Sequence, residues 1–328
     1  MDVYNGKTIL VTGGTGSFGK NFIKFLLKYS DAKKVIVFSR DELKQSEMNR
    51  EIQDNRLRFF LGDVRDLERL KRAFYEVNIV VHAAALKQVP TLEYNPFEAV
   101  KTNILGSENV INAAIDLNVE KVLLVSTDKA VHPINLYGST KQCAEKLFVA
   151  GNFYAAGHTR FSCVRYGNVI ASRGSIIEML IKNRDMKQVS ITDENMTRFW
   201  LTLAQSFKLV TFAFENMVGG EIFIPKKIPS MSVGDLISAI VPKAEKNIIG
   251  IRPGEKMHEV LLTEEEARRT VEYKDYFVAL PDRYDTIAID KFNKYTIEGK
   301  KLPKGFSFRS NENTNQLTKE DLLKILNI

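Results

Sequence analysis

Five short runs of apolar residues recur over the first 125 positions: Thr8-Ile9-Leu10-Val11-Thr12, Val35-Ile36-Val37-Phe38, Leu57-Arg58-Phe59-Phe60-Leu61, Ile79-Val80-Val81-His82 and Lys121-Val122-Leu123-Leu124-Val125. Short, nearly continuous runs of this kind predict strands buried on both faces, as a parallel sheet requires. Between the first two runs, Phe18, Phe22, Phe25 and Leu26 fall at i, i+4, i+7 and i+8 and predict a helix with one apolar face. A second, longer helix is predicted from Pro96 to about Leu117, with proline at its start, where a missing N–H costs nothing. Strands alternating with helices predict βαβ units, hence an α/β fold with a doubly wound parallel sheet. Beyond about residue 170 the strands thin out and the loops lengthen, with helices expected at about 202–216, 232–241 and 319–326. The expected organisation is a nucleotide-binding Rossmann domain over 1–170 and a smaller mixed α/β lobe over 171–328, with the chain crossing between them.

Composition narrows the class. The 328 residues are 44% hydrophobic and 27% charged, so disorder and coiled coil are poor descriptions. The net charge of +7 is spread evenly, +4 over residues 1–160 and +3 over the rest, with no Lys/Arg run longer than two. A nucleic-acid footprint clusters on one helix or stripe, so the charge points instead to small polyanions. Cys143 and Cys163 lie in no CxxC motif, and His82, His132, His158 and His258 form no HxxxH pair, so no metal site is expected. No apolar run reaches 18 residues and the N-terminus lacks a signal-peptide pattern; a cytoplasmic protein with no membrane partner is expected.

Gly13, Gly16 and Gly19 form a GxxGxxG spacing around Thr15, Ser17 and Phe18, after the first strand and into the first helix. Glycines there allow a tight turn, close approach of backbone to a pyrophosphate, and helix–strand packing. The helix N-terminus adds free N–H groups and a positive dipole end. Outside that context the spacing is an ordinary glycine turn. The second strand runs into Ser39-Arg40-Asp41, where an adenosine ribose is read. A guanidinium suits a 2′-phosphate, so Arg40 favours NADP, while Asp41 argues for NAD. Asp63-Val64, after the third strand, meets the adenine in one reading; in another, Asp63 caps the next helix.

Tyr137 and Lys141 share a face if their segment is helical. An ammonium there holds the cofactor ribose and lowers the phenol from its usual value of about 10. Tyr137 then transfers protons near neutral pH. Ser126-Thr127-Asp128-Lys129 ends the fifth strand, and ligands of doubly wound folds sit outside the carboxyl ends of strands. Both motifs therefore point into one crevice. Asp128 and Lys129 either do acid–base work there or cap the following loop and pair with each other.

The runs GGTGSFG, SRDELKQSEM, GDVRD, HAAALK, KTNILG, STDKA, NLYGSTK and VRYGNVIASRGS together resemble the extended short-chain dehydrogenase/reductase superfamily. More narrowly, they resemble the inverting UDP-N-acetylglucosamine 4,6-dehydratases that begin pseudaminic acid synthesis. The resemblance runs from about residue 6 to the C-terminus, through MTRFW, GGEIF, IPSM and IGIRPGEKMHEV. Related epimerases tend to carry small residues where Asp128 and Lys129 stand, and retaining hexose dehydratases carry Asp-Glu. The Asp-Lys pair is similar to the inverting group.

The resemblance implies dehydration across C5 and C6 of UDP-N-acetylglucosamine with inversion at C5, giving UDP-2-acetamido-2,6-dideoxy-beta-L-arabino-hex-4-ulose for surface or flagellin glycosylation. It implies Tyr137, tuned by Lys141, as the base at the C4 hydroxyl, and Lys129, with a lowered pKa, as the base at C5. Asp128 is implied as the acid at the C6 hydroxyl or the group that tunes Lys129, and Thr127 as a hydrogen-bond partner of the C4 oxygen. NADP is implied against Gly13, Thr15, Gly16, Ser17, Phe18, Gly19, Ser39, Arg40, Asp41, Lys44, Asp63, Val64, Ala83, Ala84, Lys87, Tyr137 and Lys141. Lys87, Asn168, Val169, Arg173, Arg198, Arg252 and Glu255 are implied around the nucleotide sugar. A homo-oligomer, dimer or hexamer, is implied through helices at about 96–117 and 136–156. Longer relatives carry N-terminal membrane helices, and this chain resembles the compact form. An epimerase, reductase or retaining dehydratase of the same fold is the alternative; a non-catalytic NADP sensor is another, against which Tyr137 and Lys141 argue.

Overall fold

The apolar runs form strands where their pattern places them: β1 (Thr8–Thr12), β2 (Lys34–Ser39), β3 (Leu57–Leu61), β4 (Ile79–His82) and β5 (Lys121–Val125), followed by β6 (Arg160–Val164). The computed structural model describes residues 1–170, 172, 174–282 and 290–328. The six strands pair in parallel in the order β3-β2-β1-β4-β5-β6. All five residues of β1 are buried, because helices cover both faces of the sheet. Ile222–Pro225 adds to β6 in parallel, and the strands Tyr276–Ala279, Thr270–Tyr273 and Lys300–Lys301 continue the sheet antiparallel. The second half of the chain thus re-enters the main sheet. Strand order reverses at β1, between β2 and β4, and opens a crevice at the carboxyl ends. His82 closes β4 inside the core, bonded to Thr12 and Ser107; burial pushes it down to about 3, so it is neutral.

Helices α1 (Ser17–Tyr29), α2 (Glu42–Glu51), α3 (Leu67–Phe74) and α4 (Val89–Tyr94) follow the first four strands. The aromatic face of α1 is clamped by the helix Leu203–Asn216: Phe207 lies 5.8, 5.5 and 5.2 Å, centroid to centroid, from Phe18, Phe22 and Phe25. The helix expected near 96–117 is α5 (Pro96–Ala99) and α6 (Gly106–Asp116) joined by a π-helical segment, Val100–Leu105. That wide segment carries Asn103, which exchanges two hydrogen bonds with the backbone of Leu86 and donates to Thr140 at 3.0 Å. α7 (Leu136–Tyr154) starts at Asn135, whose side chain accepts from Gly138 N at 2.8 Å and donates to the carbonyl of Gly254 at 2.8 Å. The latter bond pins the 252–255 loop onto the start of α7.

The helices Leu203–Asn216, Val233–Ile240 and Lys319–Leu326 lie within about a residue of their expected positions. A second core gathers Ile177, Leu180, Trp200, Leu236 and Ile237. Among the described residues, no helix is long and apolar enough to cross a membrane.

Candidate active site

A cavity of about 1150 Å³ opens over the carboxyl ends of the central strands. Its wall carries Gly13, Thr15, Gly16, Ser17, Phe18 and Gly19, then Ser39, Arg40, Asp41, Lys44, Asp63 and Val64, then Ala83, Ala84 and Lys87. Thr127, Lys129, Tyr137, Lys141, Asn168 and Val169 also line it, and Trp200 and Leu203 reach it from the second half of the chain. The whole expected dinucleotide set is therefore brought together. Gly13 has φ +65, and a Cβ on it would lie 2.9 Å from the backbone of Ala84. Glycine thus lets the phosphate loop seat against the chain leaving β4. Gly16 precedes α1 and offers no side-chain cap, and the helix N-terminus with its positive dipole end faces the cavity. These features fit a dinucleotide.

At the ribose end, Asp41 is committed to its own helix. Its side chain caps α2 by accepting from Lys44 N at 3.0 Å and pairs with the Lys44 ammonium. Arg40 is half exposed, with one nitrogen 3.4 Å from Asp63. Asp63 does not cap α3; Asp66 does, accepting from Arg69 N. Burial pushes the Asp63 carboxyl up, but Arg65 at 2.7 Å and Arg40 outweigh it and hold it below the usual range.

At the end of β5, Asp128 is fully buried and Lys129 reaches the cavity. Lys129 Nζ donates to Asp128 Oδ1 at 3.0 Å and to Asn168 Oδ1 at 3.4 Å, and Thr127 Oγ1 donates to the same Asp128 oxygen. The other Asp128 oxygen has no hydrogen-bond partner among the described residues. Mutual pairing and presence at the cavity thus occur together. Two expectations about charge are corrected. Burial alone would lower Lys129, but Asp128 and Glu259 outweigh it and push the ammonium above its ordinary value. Burial also pushes the Tyr137 phenol up to about 12, and the cation that acts against this is Lys129 rather than Lys141. Lys141 is itself pushed down to about 8 by burial, against Cys163 and Glu145.

Sequence reasoning missed Glu259. It is 2% exposed, with Oε1 3.3 Å from Lys129 Nζ and 3.8 Å from Arg198 Nε. Lys256 Nζ lies 3.9 Å from its other oxygen. Arg198, implied at the substrate, is off the cavity wall; its guanidinium donates to the carbonyls of Thr197 and Met257. Arg252 is exposed and Glu255 half-buried, and neither is on that wall. Arg173 lies outside the described residues.

A second buried charge group braces α7 from behind. Arg165, just past β6, donates to both oxygens of Glu145 at 3.1 and 2.6 Å, to Glu266 at 2.9 Å and to the carbonyl of Leu261 at 3.0 Å.

Comparison with known proteins agrees with this architecture. A family profile described as polysaccharide biosynthesis protein matches residues 9–281. The inverting UDP-N-acetylglucosamine 4,6-dehydratase of Campylobacter jejuni (strain 81-176) is 46% identical, over 99% of this chain and 98% of its own. A UDP-glucose 4-epimerase of Rickettsia rickettsii is 41% identical, over 98% and 95%. The X-ray structure of Pen from Bacillus thuringiensis superposes with a TM-score of 0.87 at 36% identity, covering 98% of both chains. The chain belongs to the polysaccharide biosynthesis protein family and, as an enzyme of the extended short-chain dehydrogenase/reductase superfamily, stands with the inverting UDP-N-acetylglucosamine 4,6-dehydratases.

Proposed function

We propose that the chain is an NADP-dependent hydro-lyase that dehydrates UDP-N-acetylglucosamine across C5 and C6 and inverts C5. The observation that carries this reading is the Lys129–Asp128 contact of 3.0 Å at a cavity wall shared with Tyr137 and Lys141. When bound, NADP would supply a hydride acceptor for C4 and a hydride donor for C6; the phosphate loop would hold its pyrophosphate, and Ser39, Arg40 and Lys44 its adenosine end. Asp41 is taken up as a helix cap, which favours a 2′-phosphate over a free ribose hydroxyl.

Tyr137, once ionised, takes the C4 hydroxyl proton, and Thr127 orients that oxygen. The charge on Lys129 and the hydrogen bond with Thr127 favour the phenolate. The new C4 carbonyl makes the C5 proton acidic. Passing one proton from Lys129 to Asp128 leaves a neutral amine and a carboxylic acid side by side. The amine removes the C5 proton while the acid protonates the departing C6 hydroxyl, which leaves as water. Lys129 ends protonated and Asp128 ionised, as before the transfer. Water on the face opposite Lys129 then protonates C5, which gives inversion, and Tyr137 returns its proton to solvent. Lys87, Asn168 and Val169, on the cavity wall, are assigned to the sugar.

Exposed Tyr94, Phe97 and Leu105, with Tyr154 on α7, support pairing of two copies through the α5–α6 and α7 helices. We place the product in the synthesis of pseudaminic acid, in the cytoplasm where UDP-sugars are made. The test is proton NMR of UDP-N-acetylglucosamine incubated with the purified protein. A C6 methyl doublet is expected, and its C5 coupling reports inversion. An intact C6 hydroxymethyl group with an inverted C4 proton identifies an epimerase instead, the activity carried by the Rickettsia relative's name.

A further inference from the structure

Lys129 is faced by charge from several elements. Asp128 precedes it in the chain, Glu259 and Lys256 come from the 256–259 segment, and Arg198 comes from the strand Thr197–Leu201. Lys87, from the loop after β4, and Tyr137, on α7, also lie within its field. Glu259 and Lys256 are the members of this group that no expectation about the reaction uses, and Glu259 is the one in direct contact with Lys129. It is firmly placed: its N–H donates to Ser310 Oγ at 2.9 Å, and its carbonyl accepts from Ser310 N at 2.9 Å. Its cationic neighbours are anchored too, Arg198 by two carbonyls and Lys256 by the carbonyl of Val131 at 2.6 Å. Yet among the described residues Glu259 Oε2 has no hydrogen-bond partner. A buried carboxylate oxygen left without a donor is costly, and an apolar residue of similar volume would avoid the cost. What that residue would not supply is a fixed negative charge behind Lys129.

We propose that Glu259 is a positioning residue of this active site: it faces Lys129 from behind the cavity wall, holds the ammonium between two carboxylates, and keeps one shared proton within the Asp128–Lys129 pair. The proposal rests on the dehydratase reading for its consequence in turnover. The pair needs one mobile proton, because the neutral amine and the acid form together from a single transfer. Glu259 attracts a proton on Lys129 and, through repulsion, favours one on Asp128. Both effects oppose loss of that proton to solvent as pH rises. Arg198 acts in the opposite sense on Lys129.

The two neighbours therefore give opposite signs in one experiment. The holoenzyme is acylated with limiting acetic anhydride across a pH series, and labelling at Lys129 is read by peptide mass spectrometry. In Glu259→Gln the labelling midpoint moves to lower pH, with labelling at pH 8 raised roughly tenfold or more. In Arg198→Gln it moves to higher pH, and Glu259→Asp keeps much of the wild-type midpoint. In the NMR assay Glu259→Gln lowers kcat with KM near wild type and shifts the alkaline limb downward. An unmoved midpoint in Glu259→Gln, or the same direction of shift in both charge-removing variants, overturns the proposal. If Glu259→Gln does not fold, Arg198→Gln carries the test, and a downward or absent shift refutes it. A wild-type protein that turns over no UDP-sugar overturns the dehydratase reading, while the labelling shifts still support the hold of Glu259 on Lys129.

Discussion

Gly138 separates Tyr137 from the rest of α7 and packs on the backbone that carries Lys129. A Cβ at this position would lie 2.1 Å from the carbonyl oxygen of Lys129 and 3.0 Å from Pro133 Cβ. Side-chain carbons keep at least 3.0 Å from such atoms, so Gly138→Ala forces the start of α7 to retreat from Lys129 by about 0.9 Å. The stability change is small, because better helix propensity contributes about 1 kcal/mol and overpacking costs about 1–3 kcal/mol. Catalysis is more sensitive. The retreat moves Tyr137 and Lys141 together, away from Thr127, Asp128 and Lys129. A misplacement of about 1 Å costs on the order of 100-fold in rate. The expected outcome is a kcat lowered about 100-fold in the NMR assay, with a melting temperature only a few degrees below wild type. A folded Gly138→Ala protein that retains kcat within about threefold would show that this contact does not set the geometry of the site, and the reasoning would fail.

Lys141, pushed down to about 8, loses its charge as pH rises through that value, so NADP affinity measured by titration should weaken above pH 8. Lys141→Arg should remove that dependence, since a guanidinium stays charged. Arg165→Met strands Glu145 and Glu266 in a buried site and should cost about 3–5 kcal/mol in chemical denaturation at pH 7. The same substitution tests linkage. Burial pushes Glu266 up, but Arg165 outweighs it and holds the carboxyl below its ordinary 4.5. That stabilisation is fully present above about 4.5 and is lost as pH falls through the lower folded value, so Arg165→Met should flatten the acid arm of the stability curve. Arg40→Ala should weaken NADP about tenfold and leave NAD unchanged in fluorescence titration, from loss of one charge-assisted contact; equal weakening of both would assign Arg40 no role at the 2′-phosphate.

The strands and the two chemical motifs were readable because they are local. β1 is apolar throughout, Gly13 to Gly19 span one turn, and Tyr137 and Lys141 lie one helical turn apart. The π-helical segment was not readable, since a few residues of wider winding hardly disturb an amphipathic pattern and only the backbone hydrogen bonding reveals it. Glu259 was beyond reach for a different reason. It stands 130 positions from Lys129, outside any periodic element, next to a lysine and a histidine that suggest an ordinary polar surface. The direction of the Lys129 shift followed the same gap: with Asp128 alone in view, burial and pairing pull opposite ways, and Glu259 adds to the side of pairing. Arg198 is visible as a cation in the sequence, but whether it faces a phosphate or a buried carboxylate depends on a fold contact.

The Arg165 group has a consequence for how the molecule comes apart. It ties α7 to residues 261–266 through a guanidinium only 2% exposed, so the helix cannot fray away from that segment without separating Arg165 from two carboxylates. Hydrogen exchange in α7 and in the strand Val260–Leu262 should then report a single opening free energy, close to that of global unfolding. Cofactor entry and product release must accordingly be served by elements outside this unit, and the tyrosine stays mounted on a part of the protein that opens only when the fold does.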